Sequence, residues 1–238
     1  MLLSHGFSAS SHMFAGVAAD LAADHTVVTW DVRGHAGSDS PADPDAYTVP
    51  LAVGDMAAVL DAAGTRRAVV GGHSLGGYLT LAFWLAHPER VRALVLIGTG
   101  PGYRKDDARE GWNRMAARYA DEFDAKGLGA LGASEEISAS VHRDACGLAL
   151  AARGILTQHD GRVMDALPKI DVPALVIVGE HDKPFVGASR YMAERIPNAE
   201  LVVVPDAGHA PNISQPAVFS RSLRSFLSRL PEENDDRQ

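Results

Sequence analysis

The stretch Ala68 to Gly77, A-V-V-G-G-H-S-L-G-G, constrains this chain more than any other. Ala68, Val69 and Val70 suit a buried strand, and they run directly into Gly72-His73-Ser74-Leu75-Gly76, a G-x-S-x-G pattern. Beyond it, Leu75, Leu79, Ala82, Phe83 and Ala86 recur at helical spacing as far as His87-Pro88. A chain that passes from strand to helix within a residue or two strains the backbone of the serine between them. Side chains two positions before and after would then collide, so glycine belongs at 72 and 76. A serine presented in this way is a candidate nucleophile. A hydroxyl alone is weak, and the rest of the chain must supply a base, a group that orients the base, and donors for an oxyanion.

On either side of this stretch, strand and helix patterns alternate. Met1 to Ser4 reads as a strand leading into the loop His5-Gly6-Phe7-Ser8, and Phe14, Val17, Ala18 and Leu21 follow at helical spacing. Thr26 to Trp30 is a second strand, ending in a polar, glycine-containing loop from Asp31 to Asp39. Pro50 opens a helix holding Leu51, Met56, Val59 and Leu60 and closed by Gly64, and Arg92 to Ile97 is the strand after the elbow helix. The alternation then pauses at Gly98 to Gly102. From Asp106 to about Leu167 the pattern is helical, with one stripe of Trp112, Met115, Ala116, Tyr119 and Phe123 and another of Leu148, Ala151, Ala152, Ile155 and Leu156. Strands resume at 172–179 and Glu200 to Val204, separated by a helix through Tyr191 and Met192. Pro216 opens a last amphipathic helix, and the tail from Pro231 to Gln238 is polar and expected to fray.

This order predicts an α/β fold: a mostly parallel sheet of about six strands with helices on both faces, formed by residues 1–100 and 168–238. Residues 101–167 are expected to form a helical lid inserted after the fourth strand, over the carboxyl edge of the sheet. Trp112, Met115, Tyr119 and Phe123 are then candidate substrate-binding residues lining an acyl pocket; packing between the lid helices is the competing reading of the same stripe.

Composition excludes several classes. The net charge of −8 offers no basic footprint for nucleic acid or an anionic membrane, so a small-molecule ligand is expected. A single cysteine, Cys146, rules out an internal disulfide and reads as a small buried residue in a helix. No run reaches membrane-spanning length and no signal peptide is visible, so a cytoplasmic location is expected.

Three polar residues fall in loops at the carboxyl ends of strands, where ligands gather in open parallel sheets: Ser74, Asp182 and His209. With this order of Ser, Asp and His, the chain resembles the α/β-hydrolase fold family in its serine-nucleophile branch, over nearly its whole length. The matching pieces are His5-Gly6-Phe7, Asp31-Val32-Arg33-Gly34-His35, Gly72-His73-Ser74-Leu75-Gly76, Gly179-Glu180-His181-Asp182 and Gly208-His209. The resemblance implies Ser74 as nucleophile, His209 as general base and Asp182 as the group that orients the imidazole, with the backbone N–H groups of Phe7 and Leu75 as oxyanion hole. Asp206 is the rival to Asp182, but a carboxylate three residues before the histidine more often caps its own turn than reaches the ring.

Two departures stand out. Relatives carry a strand pair ahead of the H-G loop that this sequence lacks, which leaves Thr26 to Trp30 as an exposed edge. Ala36 stands where many relatives have glycine, implying a slightly altered loop. The histidines at 5, 35, 73 and 181 belong to these loop motifs and show no metal-ligand spacing; no metal and no cofactor is expected. Arg104 reads as solvated, with binding of a substrate carboxylate as its alternative.

The implied activity is hydrolysis of a carboxylic ester of a small or medium, largely apolar substrate. Lactonases and carbon–carbon bond hydrolases of the family use the same triad. Cofactor-free lyases or synthases of the menaquinone pathway differ in carrying arginine four residues after the nucleophile, where Tyr78 stands. Slow-turnover signalling proteins that bind a ligand are a further alternative.

Overall fold

The computed structural model describes residues 1–231 and contains one sheet, of six strands that all run parallel in the order β2-β1-β3-β4-β5-β6. The strands are β1 (Leu2–Ser4), β2 (Val28–Trp30), β3 (Ala68–His73), β4 (Val91–Ile97), β5 (Ala174–Gly179) and β6 (Ala199–Val204). Around them lie α1 (Ala15–Leu21), α2 (Val49–Ala62), α3 (Leu75–Ala86), α4 (Asp106–Lys126), α5 (Glu135–Ser138), α6 (Ala145–Gly154), α7 (Arg162–Ala166), α8 (Lys183–Arg195), α9 (Pro211–Ser214) and α10 (Pro216–Ser228). The frayed tail expected from the sequence falls, from residue 232 onward, outside the described residues.

The central strands read as unbroken apolar runs because both of their faces are covered. Successive side chains alternate between the faces, so Leu94 and Leu96 join Met56, Leu79, Phe83 and Met192 in one core. Ala93, Val95 and Ile97 join Phe14, Leu21, Phe219 and Leu223 in the other. β2 is an edge strand and is only partly buried, as its place in the sequence pattern implied.

The chain departs from its local reading in small ways. α2 begins at Val49, one residue before Pro50, because Thr48 caps it by accepting the Leu51 N–H at 3.3 Å. The buried face of α2 is Ala52, Val53, Met56 and Leu60, and Leu51 is exposed. Cys146 was expected to be buried but is exposed in the first turn of α6, whose Gly147, Leu148 and Ala149 face inward instead.

β1 lies between β2 and β3, so the sheet reverses its winding between β1 and β3. A crevice opens at the carboxyl end of such a reversal. The register pairs Ser4 with Gly72, so the loops after both strands meet at that crevice. β4 and β5 pair from Leu94 with Ala174 to Ile97 with Ile177, and the four helices α4 to α7 lie in sequence between them.

Candidate active site

Ser74 sits between β3 and α3 at φ 52° and ψ −115°, in the left-handed region that costs a serine about 1–3 kcal/mol unless its surroundings impose it. The surroundings do so on every side. A Cβ on Gly72 would lie 2.3 Å from the carbonyl carbon of Gly76, and one on Gly76 would lie 2.0 Å from the Ser4 carbonyl oxygen. Thr99 Oγ1 donates to the Ser74 carbonyl at 2.6 Å, and Ser74 N–H donates to the Ile97 carbonyl at 2.9 Å. The two glycines of the pattern are therefore what allow the elbow to press against β1.

Asp182 follows β5 and His209 follows β6, and these strands pair as far as Gly179 with Val204. His209 Nδ1 and Asp182 Oδ2 are 2.8 Å apart, with the carboxylate only 3% exposed. Since the carboxylate can only accept, Nδ1 carries the proton and Nε2 is left as a base. Phe185 stacks on the imidazole with centroids 5.0 Å apart. His73 packs against the same ring at 4.4 Å, and its Nε2–H donates to the His209 carbonyl at 2.9 Å. Burial holds the His73 pKa well below the ordinary histidine value, which keeps this support uncharged. Asp206, by contrast, is exposed at φ 53°; its N–H bonds to Glu180 and its carboxylate faces His181.

Ser74 Oγ makes no hydrogen bond among the described residues. The N–H groups of Phe7 and Leu75 likewise have no acceptor there, the second because it opens a helix. Leu75 borders the cavity beside Ser74, and Phe7 lies in the loop that follows β1.

The loop carrying Phe7 rests on a layer of buried histidines. His5 Nδ1–H donates to the Gly6 carbonyl at 2.7 Å and its Nε2 accepts the Val32 N–H at 2.9 Å, and burial lowers its pKa to about 4. The His35 ring packs against it at 5.1 Å, tilted by 56°, with its pKa well below the ordinary value for the same reason. His142, from the segment between α5 and α6, accepts the Ala36 N–H at Nδ1 (3.0 Å) and donates from Nε2 to the Ser8 carbonyl (2.9 Å). Burial lowers its pKa too. Ala36 adopts φ 42°, so the loop keeps the glycine-like conformation despite its side chain.

Next to Ser74 lies a cavity of about 260 Å³ bordered by Tyr78, Tyr103, Trp112, Leu156, Gln158 and Phe185. Of the stripe on α4, Trp112 borders this cavity and donates from Nε1 to the Leu156 carbonyl at 2.7 Å. Tyr119 and Phe123 instead pack on Phe7, with centroids 6.0 and 6.1 Å away, and Met115 is half-buried outside the lining. Arg104 is exposed and paired with Asp165. Glu180, His181 and Asp206 each bring one ligand atom within 4.8 Å of the others, all of them exposed. No helix among the described residues is long and apolar enough to cross a membrane.

The chain matches the alpha/beta hydrolase family over residues 1–222. It is 31% identical over 250 residues to the pimeloyl-[acyl-carrier protein] methyl ester esterase of Chromobacterium violaceum, covering 95% of this chain and 93% of that one. It is 28% identical over 245 residues to a Bacillus subtilis (strain 168) protein with the provisional name 2-succinyl-6-hydroxy-2,4-cyclohexadiene-1-carboxylate synthase, covering 95% and 89%. A thermophilic esterase from Thermogutta terrifontis superposes with a TM-score of 0.79 at 28% identity, covering 96% of this chain and 89% of that one.

Proposed function

The chain belongs to the alpha/beta hydrolase family, and from that premise we propose that it is a serine hydrolase that cleaves a carboxylic ester of a small or medium, largely apolar substrate through an acyl-enzyme. The observation that carries this reading is the strained Ser74, which borders a cavity and follows His73, whose ring packs 4.4 Å from an imidazole held at Nδ1 by a buried carboxylate. In the proposed reaction Ser74 Oγ attacks the acyl carbon while His209 Nε2 takes its proton, and Asp182 stabilises the imidazolium that forms. The oxyanion accepts from the N–H groups of Phe7 and Leu75, each such donor lowering the barrier by about 3–4 kcal/mol. The alcohol leaves with the proton from His209, and water repeats the sequence on the acyl-enzyme. Residues 101–167 act as the lid, with Trp112 as the wall of the acyl pocket.

Two features favour an ester over the synthase chemistry named for the Bacillus subtilis relative. Tyr78 stands where such synthases carry arginine, and no charged side chain is among those bordering the cavity, so a substrate carboxylate would be desolvated without a partner. The decisive experiment is labelling with a fluorophosphonate together with turnover of p-nitrophenyl esters of rising chain length. A single label that Ser74→Ala abolishes along with turnover is expected; labelling that persists in Ser74→Ala refutes the assignment.

A further inference from the structure

The wall of the cavity beside Ser74 holds a fixed amide whose nitrogen has no partner. Gln158 is 8% exposed, and α4 fixes its backbone from both sides: Asn113 Oδ1 accepts the Gln158 N–H and Asn113 Nδ2 donates to the Gln158 carbonyl, each at 2.8 Å. Its side chain is fixed as well, because the Tyr103 N–H donates to Gln158 Oε1 at 3.2 Å. A backbone N–H can only donate, so oxygen faces Tyr103 and the amide NH2 is the group left over. That NH2 has no hydrogen-bond partner among the described residues and, unlike His73 Nδ1, is not sealed inside the protein. Gly102, at φ 86°, lets the chain pass this close, since a Cβ there would lie 2.8 Å from Gln158 Oε1.

Three hydrogen bonds holding one glutamine, with its amide donor left without a partner beside an uncharged cavity, are the makings of a binding contact. Such sites fix orientation with a few placed polar groups. The hydroxyls of Tyr78 and Tyr103 also border the cavity, but they rotate and can donate or accept. Gln158 Nε2 can only donate, which sets the sense of the group it meets.

We infer that Gln158 is a specificity-determining residue whose amide NH2 binds an uncharged oxygen acceptor, a carbonyl or ether, on the substrate at a distance from the scissile ester. The inference rests on the ester-hydrolase reading above and narrows its substrate class from plain alkyl esters to esters with a second, neutral oxygen. A carboxylate is the wrong partner, since no cation borders the cavity.

The test is an oxygen scan. p-Nitrophenyl hexanoate is compared with its isosteres carrying an ether oxygen at position 3, 4 or 5, in the wild type and in Gln158→Leu, with melting temperature confirming the fold. The ratio of kcat/KM for ether over alkyl ester cancels intrinsic reactivity when the two proteins are compared. At one oxygen position that ratio is expected to fall roughly tenfold in Gln158→Leu, the worth of one hydrogen bond. Gln158→Glu keeps the shape and the acceptor for the Tyr103 N–H but replaces the donor with an oxygen; it should lower the ratio at the same position, and it decides the matter if Gln158→Leu does not fold. Equal ratios at every position in the folded variants overturn the inference. The same scan on fluorophosphonates, read as labelling rates, keeps the two readings apart: labelling that survives Ser74→Ala refutes the hydrolase, whereas unchanged ratios with Ser74-dependent labelling refute only the role of Gln158.

Discussion

Asp206 lies three residues before His209 in the chain, yet its carboxylate faces His181 at 3.9 Å, while Asp182, from the neighbouring strand end, lies 2.8 Å from the His209 ring. The loop conformation accounts for the difference. Asp206 sits in the left-handed region and its N–H is taken by Glu180, which turns its side chain outward to solvent. Asp182 is held at the end of β5, where its backbone carbonyl accepts from Phe185 and Val186 at the start of α8. Asp182→Asn is therefore expected to lower kcat by about 10⁴, through loss of the tautomer that leaves Nε2 basic, and Asp206→Asn by tenfold or less. Steady-state kinetics on one ester with both folded variants checks this, and the opposite order would move the orienting role to Asp206.

The glycines separate into those that the fold cannot change and those that it can. Gly76→Ala would drive a methyl group to 2.0 Å from the Ser4 carbonyl oxygen, where the first turn of α3 presses against β1, and should destabilise by more than about 4 kcal/mol or prevent folding. Gly54 lies on the exposed side of α2, and a Cβ there meets nothing within 4 Å. Gly54→Ala is expected to stabilise by about 1 kcal/mol through helix propensity alone. Urea unfolding of the two variants measures both; a neutral Gly76→Ala would mean that the elbow relaxes.

Burial depresses the pKa values of His5, His35, His73 and His142 in the folded state, whereas in the unfolded chain they titrate near the ordinary 6.5. Between these limits the unfolded chain binds more protons, so stability is complete above pH about 6.5 and falls as the pH drops toward 4. For His5 alone, lowered to about 4, the loss amounts to about 3 kcal/mol. Asp31 acts in a different window. Burial raises its pKa, but N–H groups from Ser11 and Gly37 outweigh that and lower it, so its contribution disappears only below the ordinary carboxylate value of 3.8. Unfolding free energies at pH 7.5, 5.5 and 4.5 should fall steadily, and His142→Gln should flatten the slope; a flat profile in the wild type would show that these histidines titrate normally.

The parts of this protein that were legible in the sequence are those written in neighbouring residues. The elbow is a run of ten residues, and the strands after it alternate with helices at short range, so β3, α3 and the parallel sheet follow directly. What the sequence hid is held over long separations. His142 meets Ala36 across 106 residues and Gln158 meets Tyr103 across 55, and neither histidine nor glutamine carries a pattern that announces a partner. The stripe on α4 was visible as a stripe, but periodicity gives only the face of a helix, and Trp112 and Phe123 lie three turns apart along it. One end reaches the cavity and the other the Phe7 loop.

That division yields the last prediction. Trp112 borders the cavity and is half-buried, its indole nitrogen tied to the Leu156 carbonyl, and in the proposed reaction its ring is a wall of the acyl pocket. Phe123 is 5% exposed, packs with Ala120, Leu148 and Ala152, and meets Phe7 edge to face. Truncating each residue should therefore have a different signature. Trp112→Ala opens space beside Ser74 and should shift the preferred acyl chain to longer esters, since each methylene recognised in an apolar pocket is worth about 1–3 kcal/mol. Phe123→Ala removes a buried ring and should lower stability by about 3–5 kcal/mol, with the chain-length optimum unmoved. It should also lower kcat for every ester alike, because Phe7, whose N–H is the proposed oxyanion donor, loses one of the rings packed on it. Chain-length profiles and urea unfolding on the two variants separate these effects, and a shifted optimum in Phe123→Ala with unchanged stability would place the acyl pocket along the whole length of α4.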